Sequence, residues 1–259
     1  MTISVLTDDH PGVITPAEHG LSYLVEFGGI RLLFDTGQSN LFLRNALTMG
    51  IDMTHIDTIV LSHGHFDHGN GLTFLTGGKL VCHPGCFVKR YRKADSSYIG
   101  LTSPEEEINN EFELLKTNAP YKIIETIFFL GEIPRLTDFE SIKTPFELEG
   151  GIPDFVMDDS AVALLTGEGL FVVTGCGHAG IVNTLEYARK VTGESRIFGI
   201  IGGFHLKKVD RQTKETIRYL RKNGVQHVFP SHCTQPPALS VFSRTFKTNH
   251  TKTGDILKF

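Results

Sequence analysis

The chain has 259 residues, 40% of them apolar and 21% charged, with a formal net charge of −4. That length can bury a full core and fits one large domain carrying an insert, while the slightly negative balance excludes a global basic field for nucleic acid. Four cysteines without any C-x-x-C spacing argue against a disulfide framework and for reduced thiols in a cytoplasmic protein.

In chain order, TISVL (2–6) reads as a strand, and the opening residues MTISVLTDDHPG offer neither a basic leader nor a long apolar stretch. LSYLVEF (21–27) and IRLLFD (30–35) are strands joined by a Gly28-Gly29 hairpin turn. Ser39 is placed to cap a helix whose apolar face carries Leu41, Phe42, Ala46, Leu47 and Met49. DTIVLS (57–62) and KLVCH (79–83) are buried strands.

From about Asp95 to Gly151 the character changes. Ser103-Pro104-Glu105-Glu106-Glu107 predicts a helix start, running to Lys116 and stopped by Pro120. The short apolar pieces that follow suggest an inserted α/β cap subdomain over 95–151. Beyond it, AVALLT and GLFVVTG flank a turn at Gly167-Glu168-Gly169. A helix over 179–191, the strand RIFGIIGG, a helix over 212–223 and the strand VQHVFP complete an α/β pattern. The longest apolar run, IFGIIGGF (197–204), is far short of the about 20 residues that span a bilayer, so no membrane partner is expected.

The chemistry concentrates in LSHGHFDHGN (61–70), where His63, His65, Asp67 and His68 fall within six positions. Such side chains gain little from one another in an apolar core and much from a metal ion. His63 and His65, at alternate positions of an irregular loop, can point towards one ion, with Asp67 and His68 around a neighbouring position. Gly64 and Gly69 are expected to allow the bends of this hook.

H-x-H-x-D-H after a buried strand resembles the first metal motif of the metallo-β-lactamase superfamily. Later strand ends supply the rest of the pattern: TGCGHAG (174–180) offers His178, PSHCT (230–234) offers His232, and LFDTG (33–37) matches the Asp-x-Gly element, at Asp35, that supports the motif from behind. The resemblance implies an αββα four-layer sandwich over 1–259. It also implies one ligand set of His63, His65 and His178, and a second of Asp67, His68 and His232. Zinc is the expected cofactor, as one or two ions, with iron or manganese as substitutes. The aspartate that bridges both ions in the family is absent, since IFGIIGGFHL ends in glycines, Phe204 and His205, and Asp210 lies further on as a loop or helix-cap residue.

EHGLSYL, FDTG, SHGHFDHGNGL, TGCGHAGIVNTL, GGFHL and HCT together are similar to the branch of dihydropterin-aminobenzene-ribofuranosyl phosphate synthases, although Gly177 stands where that branch has serine and Gln235 where it has glycine. This implies a metal-dependent hydrolase or hydrolase-like synthase acting through zinc-bound hydroxide on a small phosphorylated, pterin- or nucleotide-like molecule, with Asp67 orienting the nucleophile. The glycines and N–H groups around Gly177, at a helix start, are expected to hold the substrate's phosphate. His83 and His205 are candidates to face the same cleft. Lys89 and Arg90, in the run KRYRK, are read either as a solvated helix face or as a phosphate-gripping rim, and His19 as a support behind the ligands.

Three other readings remain. A mononuclear iron dioxygenase keeps the same motif and would be recognised by iron and oxygen uptake. A tRNA-processing role is echoed by His232-Cys233-Thr234, but the charge balance opposes it. A catalytically weak ligand-binding member would fit the missing bridge.

Overall fold

A computed structural model describes residues 1–259, in two compact units. The first comprises 1–118, 144–154 and 251–259; the second comprises 119–143 and 155–250.

In the first unit, β1 (Thr2–Thr7) pairs antiparallel with β2 (Ser22–Phe27), and β2 with β3 (Ile30–Phe34). Gly28 and Gly29 both take positive φ, 62° and 83°, which matches a two-residue hairpin turn to the strand twist. The chain then crosses over through α1 (Leu41–Thr48) to the parallel strands β4 (Thr58–Val60) and β5 (Lys79–Cys82). The N-cap is Asn40 and not the expected Ser39, whose Oγ one residue earlier accepts the Leu41 N–H at 3.1 Å. Phe42 and Ala46 of this helix join Leu6, Leu24, Leu33 and Leu80 in the unit's core, each large side chain adding about 1.5–3 kcal/mol on burial. Leu47, expected on that face, is exposed instead.

Three expectations for the middle of the chain are corrected. The single-turn α2 (Phe66–Gly69) lies in the metal motif, and the helix predicted to reach Lys116 is α3 (Glu105–Glu111), which stops at Phe112. Phe112 packs into the core and Leu114 against it as the chain enters β7 (Glu113–Lys116), a parallel neighbour of β5. The run KRYRK is a strand and not a helix face: β6 (Arg90–Arg92) pairs with β10 (Phe146–Leu148), which pairs with β11 (Pro153–Asp154). The 95–151 stretch therefore does not form a subdomain of its own. Its β8 (Tyr121–Ile124) and β9 (Ile127–Phe129) belong to the sheet of the second unit, because Ile127 and Phe129 are core residues there. The first unit closes with β16 (Ile256–Lys258), an edge strand beside β1 that the short sequence ILK does not announce.

In the second unit the sheet order is β15-β14-β13-β12-β9-β8, with β12 (Ala161–Thr166) and β13 (Gly169–Thr174) forming the expected hairpin. β13, β14 (Ile197–Gly203) and β15 (His227–Ser231) run parallel, connected by α4 (Ile181–Thr192) and α5 (Arg211–Lys222). Asp210 caps α5 by accepting the Thr213 N–H at 3.2 Å, the cap role expected of it. α6 (Pro236–Phe246), which its opening prolines and low-propensity residues concealed, places Ala238 and Phe242 in a core with Leu185, Ile200 and Leu220. No helix is long and apolar enough to cross a membrane.

Candidate metal centre

The histidine motif begins where β4 ends. Gly64 is held by a close approach and not by an unusual φ: a Cβ there would lie 1.8 Å from the carbonyl oxygen of Cys86. The next residues are pinned by backbone bonds. Phe66 N–H donates to Ile99 O at 3.1 Å, Leu21 N–H to Asp67 O at 3.2 Å, and Thr36 N–H to His68 O at 2.8 Å. The His65 ring meets Phe146 edge-on at 4.9 Å.

Asp35, at the end of β3, takes φ 57°, a left-handed conformation that a non-glycine residue rarely adopts. It uses the bend to serve three donors. Oδ1 accepts Ser62 N–H at 2.7 Å; Oδ2 accepts Ser62 Oγ–H and His68 Nδ1–H, each at 2.7 Å. With its hydroxyl proton given to Asp35, Ser62 Oγ accepts from His63 Nδ1 at 2.9 Å. One buried carboxylate thus fixes the tautomers of two histidines, with Nε2 as the lone-pair nitrogen of each ring. His63 and His68 are fully buried, and His65 and Asp67 are 5% exposed.

These donors fit a divalent ion. His63 Nε2 and His65 Nδ1 face each other at 3.0 Å, close to the roughly 3.3 Å that separates two imidazole nitrogens on a tetrahedral zinc. Asp67 Oδ2 lies 3.7 Å from His68 Nε2. His19, read from the sequence as a support, lies with its Nε2 3.2 Å from Asp67 Oδ2 and its Nδ1 2.9 Å from Asp9 Oδ2. The first unit therefore brings together His63, His65, Asp67 and His68, with Asp35 and His19 behind them.

In the second unit, His178, His205 and His232 all follow the C-terminal ends of the parallel strands β13, β14 and β15, the edge where such sheets place their ligand loops. The His178 and His205 rings lie 4.4 Å apart. Like Asp35, His205 and His232 are left-handed, at φ 49° and 47°. Asp159, which the sequence reading passed over, holds the His178 turn: Oδ2 accepts the Ala179 N–H at 2.8 Å, and the His178 N–H also bonds to this carboxylate. Burial pushes Asp159 up to about 6. Its only sequence signal is an acidic pair directly before an apolar strand. At the end of β15, burial pushes the Cys233 thiol up, but hydrogen bonds with Cys176 and His205 and the nearby His232 pull it well below the ordinary thiol range.

The expected substrate grips fare differently. The N-terminus of α4 is already capped: the buried Glu140 carboxyl accepts Val182 N–H and Asn183 N–H, each at 2.9 Å. The glycines around Gly177 therefore do not offer a free phosphate cradle. Gly177 itself, at φ 66°, has its Cβ direction filled by Gly203 O at 2.8 Å. Arg90 is not a rim residue either. It is buried, 3.6 Å from Asp154, and donates to Gly85 O at 2.9 Å. Lys89 is exposed and pairs with Glu149 at 3.3 Å. His83 accepts the Gly85 N–H at 2.9 Å and caps a 3₁₀ turn.

A family profile described as the metallo-beta-lactamase superfamily matches residues 15–83, the stretch that holds Asp35 and the histidine motif. An uncharacterized protein of Methanocaldococcus jannaschii is 35% identical over 254 residues, covering 93% of this chain and 94% of that one. The 7,8-dihydropterin-6-methyl-4-(beta-D-ribofuranosyl)-aminobenzene-5'-phosphate synthase of the same organism is 32% identical over 283 residues, covering 99% and 96%. The crystal structure of a metal-dependent hydrolase of the beta-lactamase superfamily matches with a TM-score of 0.89 and 32% identity, over 100% of this chain and 99% of that one. A histidine hook braced by a strand-end aspartate, on a chain alike from end to end to these proteins, belongs to the metallo-β-lactamase superfamily, and the chain resembles its dihydropterin phosphate synthase branch.

Proposed function

We propose that this protein is a zinc-dependent hydrolase, or a synthase of hydrolase type, acting on a small phosphorylated molecule. The observation that supports it most is the Asp35–Ser62 network, which fixes the tautomers of His63 and His68 so that Nε2 is the lone-pair nitrogen of each ring. By family resemblance, His178 completes the set of His63 and His65, and His232 that of Asp67 and His68. A bound ion of this kind lowers the pKa of a coordinated water to about 7 and so supplies hydroxide at neutral pH.

The chain's own residues do the rest. Asp67 orients the attacking water and takes its proton at a carboxylate oxygen. His19, half-exposed and 3.2 Å from Asp67 Oδ2, links that oxygen to Asp9 and to solvent. The phosphorylated substrate class rests on the synthase relative, whose product is a 5'-phosphate. Its recognition falls to residues other than Arg90 and the α4 N-terminus, both engaged within the fold.

Elemental analysis of protein purified without added metal, beside a His63→Ala variant, tests the reading. About one or two equivalents of zinc, lost in the variant, supports it and directs screening to phosphomonoesters and phosphodiesters. Iron with oxygen uptake replaces it with a dioxygenase. No metal after reconstitution overturns it.

A further inference from the structure

Three donors of the second unit stand outside the ligand set proposed above: Cys176 beyond β13, His205 beyond β14 and Cys233 beyond β15. One ligand atom from each, the two Sγ and a ring nitrogen of His205, lie within 4.8 Å of one another. Neither cysteine is in a disulfide.

The fold holds this group together through its backbone. Parallel pairing sets Thr174 opposite Gly202 and Gly203 opposite Ser231, which brings the three strand ends side by side. Gly203 N–H donates to Gly175 O at 2.8 Å, and Phe204 N–H to Thr234 Oγ1 at 2.9 Å. Cys233 Sγ lies 3.4 Å from Cys176 O. Space for that sulfur depends on Gly203, where a Cβ would stand 2.6 Å from Sγ. His205 joins the group in a left-handed conformation at φ 49°, a strain the surroundings must impose.

Two thiols and an imidazole are the donors of thiophilic, borderline-soft cations. Metal–sulfur bonds of about 2.3 Å and metal–nitrogen bonds of about 2.0–2.1 Å put tetrahedral donors about 3.5–3.8 Å apart, a spacing compatible with three atoms that lie within 4.8 Å of one another. We propose that Cys176, His205 and Cys233 form a thiolate–imidazole site for a thiophilic divalent cation. The inference rests on reading this chain as a metal protein, and it adds sulfur to a ligand inventory otherwise built of nitrogen and oxygen.

The test is a titration of the full, reduced, metal-stripped chain with Co²⁺ under nitrogen, with bound cobalt measured separately by elemental analysis. Thiolate ligation gives a sulfur-to-cobalt charge-transfer band in the near ultraviolet, which nitrogen and oxygen ligands alone do not. The wild type should show the band, Cys176→Ser and Cys233→Ser should each lose about half of it, and the double variant all of it. As a readout that needs no variant, cobalt should slow iodoacetamide alkylation of Cys176 and Cys233 by about tenfold or more, mapped by mass spectrometry. Cobalt bound without the band, or with alkylation unchanged, overturns this site and leaves the metal protein standing. No cobalt bound at all overturns the metal protein itself, and this site with it.

Discussion

His68 Nδ1 lies 2.7 Å from Asp35 Oδ2, and both side chains are fully excluded from solvent. The same oxygen also receives the Ser62 hydroxyl, so Asp35 orients His68 directly and His63 through Ser62. Asp35→Asn keeps the size but replaces one acceptor oxygen with a donor, which faces either Ser62 or His68. Metal affinity should fall by about 10–100-fold, read by chelator competition, while the circular dichroism spectrum stays native. Unchanged affinity would show that the histidines are oriented without Asp35.

Gly64 gives the sharpest steric prediction. Its missing Cβ would lie 1.8 Å from a backbone oxygen, which has no rotamer to escape into. Gly64→Ala should cost about 3 kcal/mol or more in urea unfolding, at the high end for overpacking, and should deplete bound metal. Gly167→Ala, at a turn with nothing within 4 Å of the new Cβ, is the control and should stay within about 0.5 kcal/mol of wild type.

The neighbouring basic residues separate a surface role from a structural one. Arg90→Ala leaves Asp154 buried without its cation, a loss of about 3–5 kcal/mol by urea unfolding. Lys89→Ala removes only an exposed pair with Glu149, worth about 1 kcal/mol or less. A stable Arg90→Ala protein would restore the rim that the run KRYRK suggested.

What could be read from the sequence was what local chemistry writes into neighbouring residues. The His63–His68 motif, the Gly28-Gly29 hairpin and the Asp210 cap all depend on residues close in the chain, whereas Asp35, whose partners Ser62 and His68 are 27 and 33 residues away, was legible only through the family resemblance. The reading failed where a distant partner decides. Nothing beside KRYRK announces that Asp154 comes to Arg90, and nothing beside TGCGHAGI announces that Glu140 occupies the helix start. Asp159 was missed for the same reason, since its work is done on backbone groups about 20 residues away. The helix predicted through Lys116 was lost to β7, where the parallel neighbour β5 outweighs local propensity.

Glu140 carries a pH signature. Burial holds its carboxyl above the ordinary carboxylate range, against the lowering pull of hydrogen bonds from Val182, Asn183 and Thr137. An acid whose folded pKa exceeds its unfolded one binds more protons folded than unfolded. Its contribution to stability is therefore full below the ordinary value, about 4.3, and is lost as pH rises through the raised folded value. Glu140→Gln stays neutral throughout and has no such slope, though it can accept from only one of the two α4 N–H groups. Urea unfolding of both proteins from pH 4 to pH 7 should show the wild type's advantage over the variant shrinking as pH rises. An advantage that grows instead would mean that the helix N-terminus stabilises the ionised carboxylate by more than burial penalises it, and that α4 is capped by a charge.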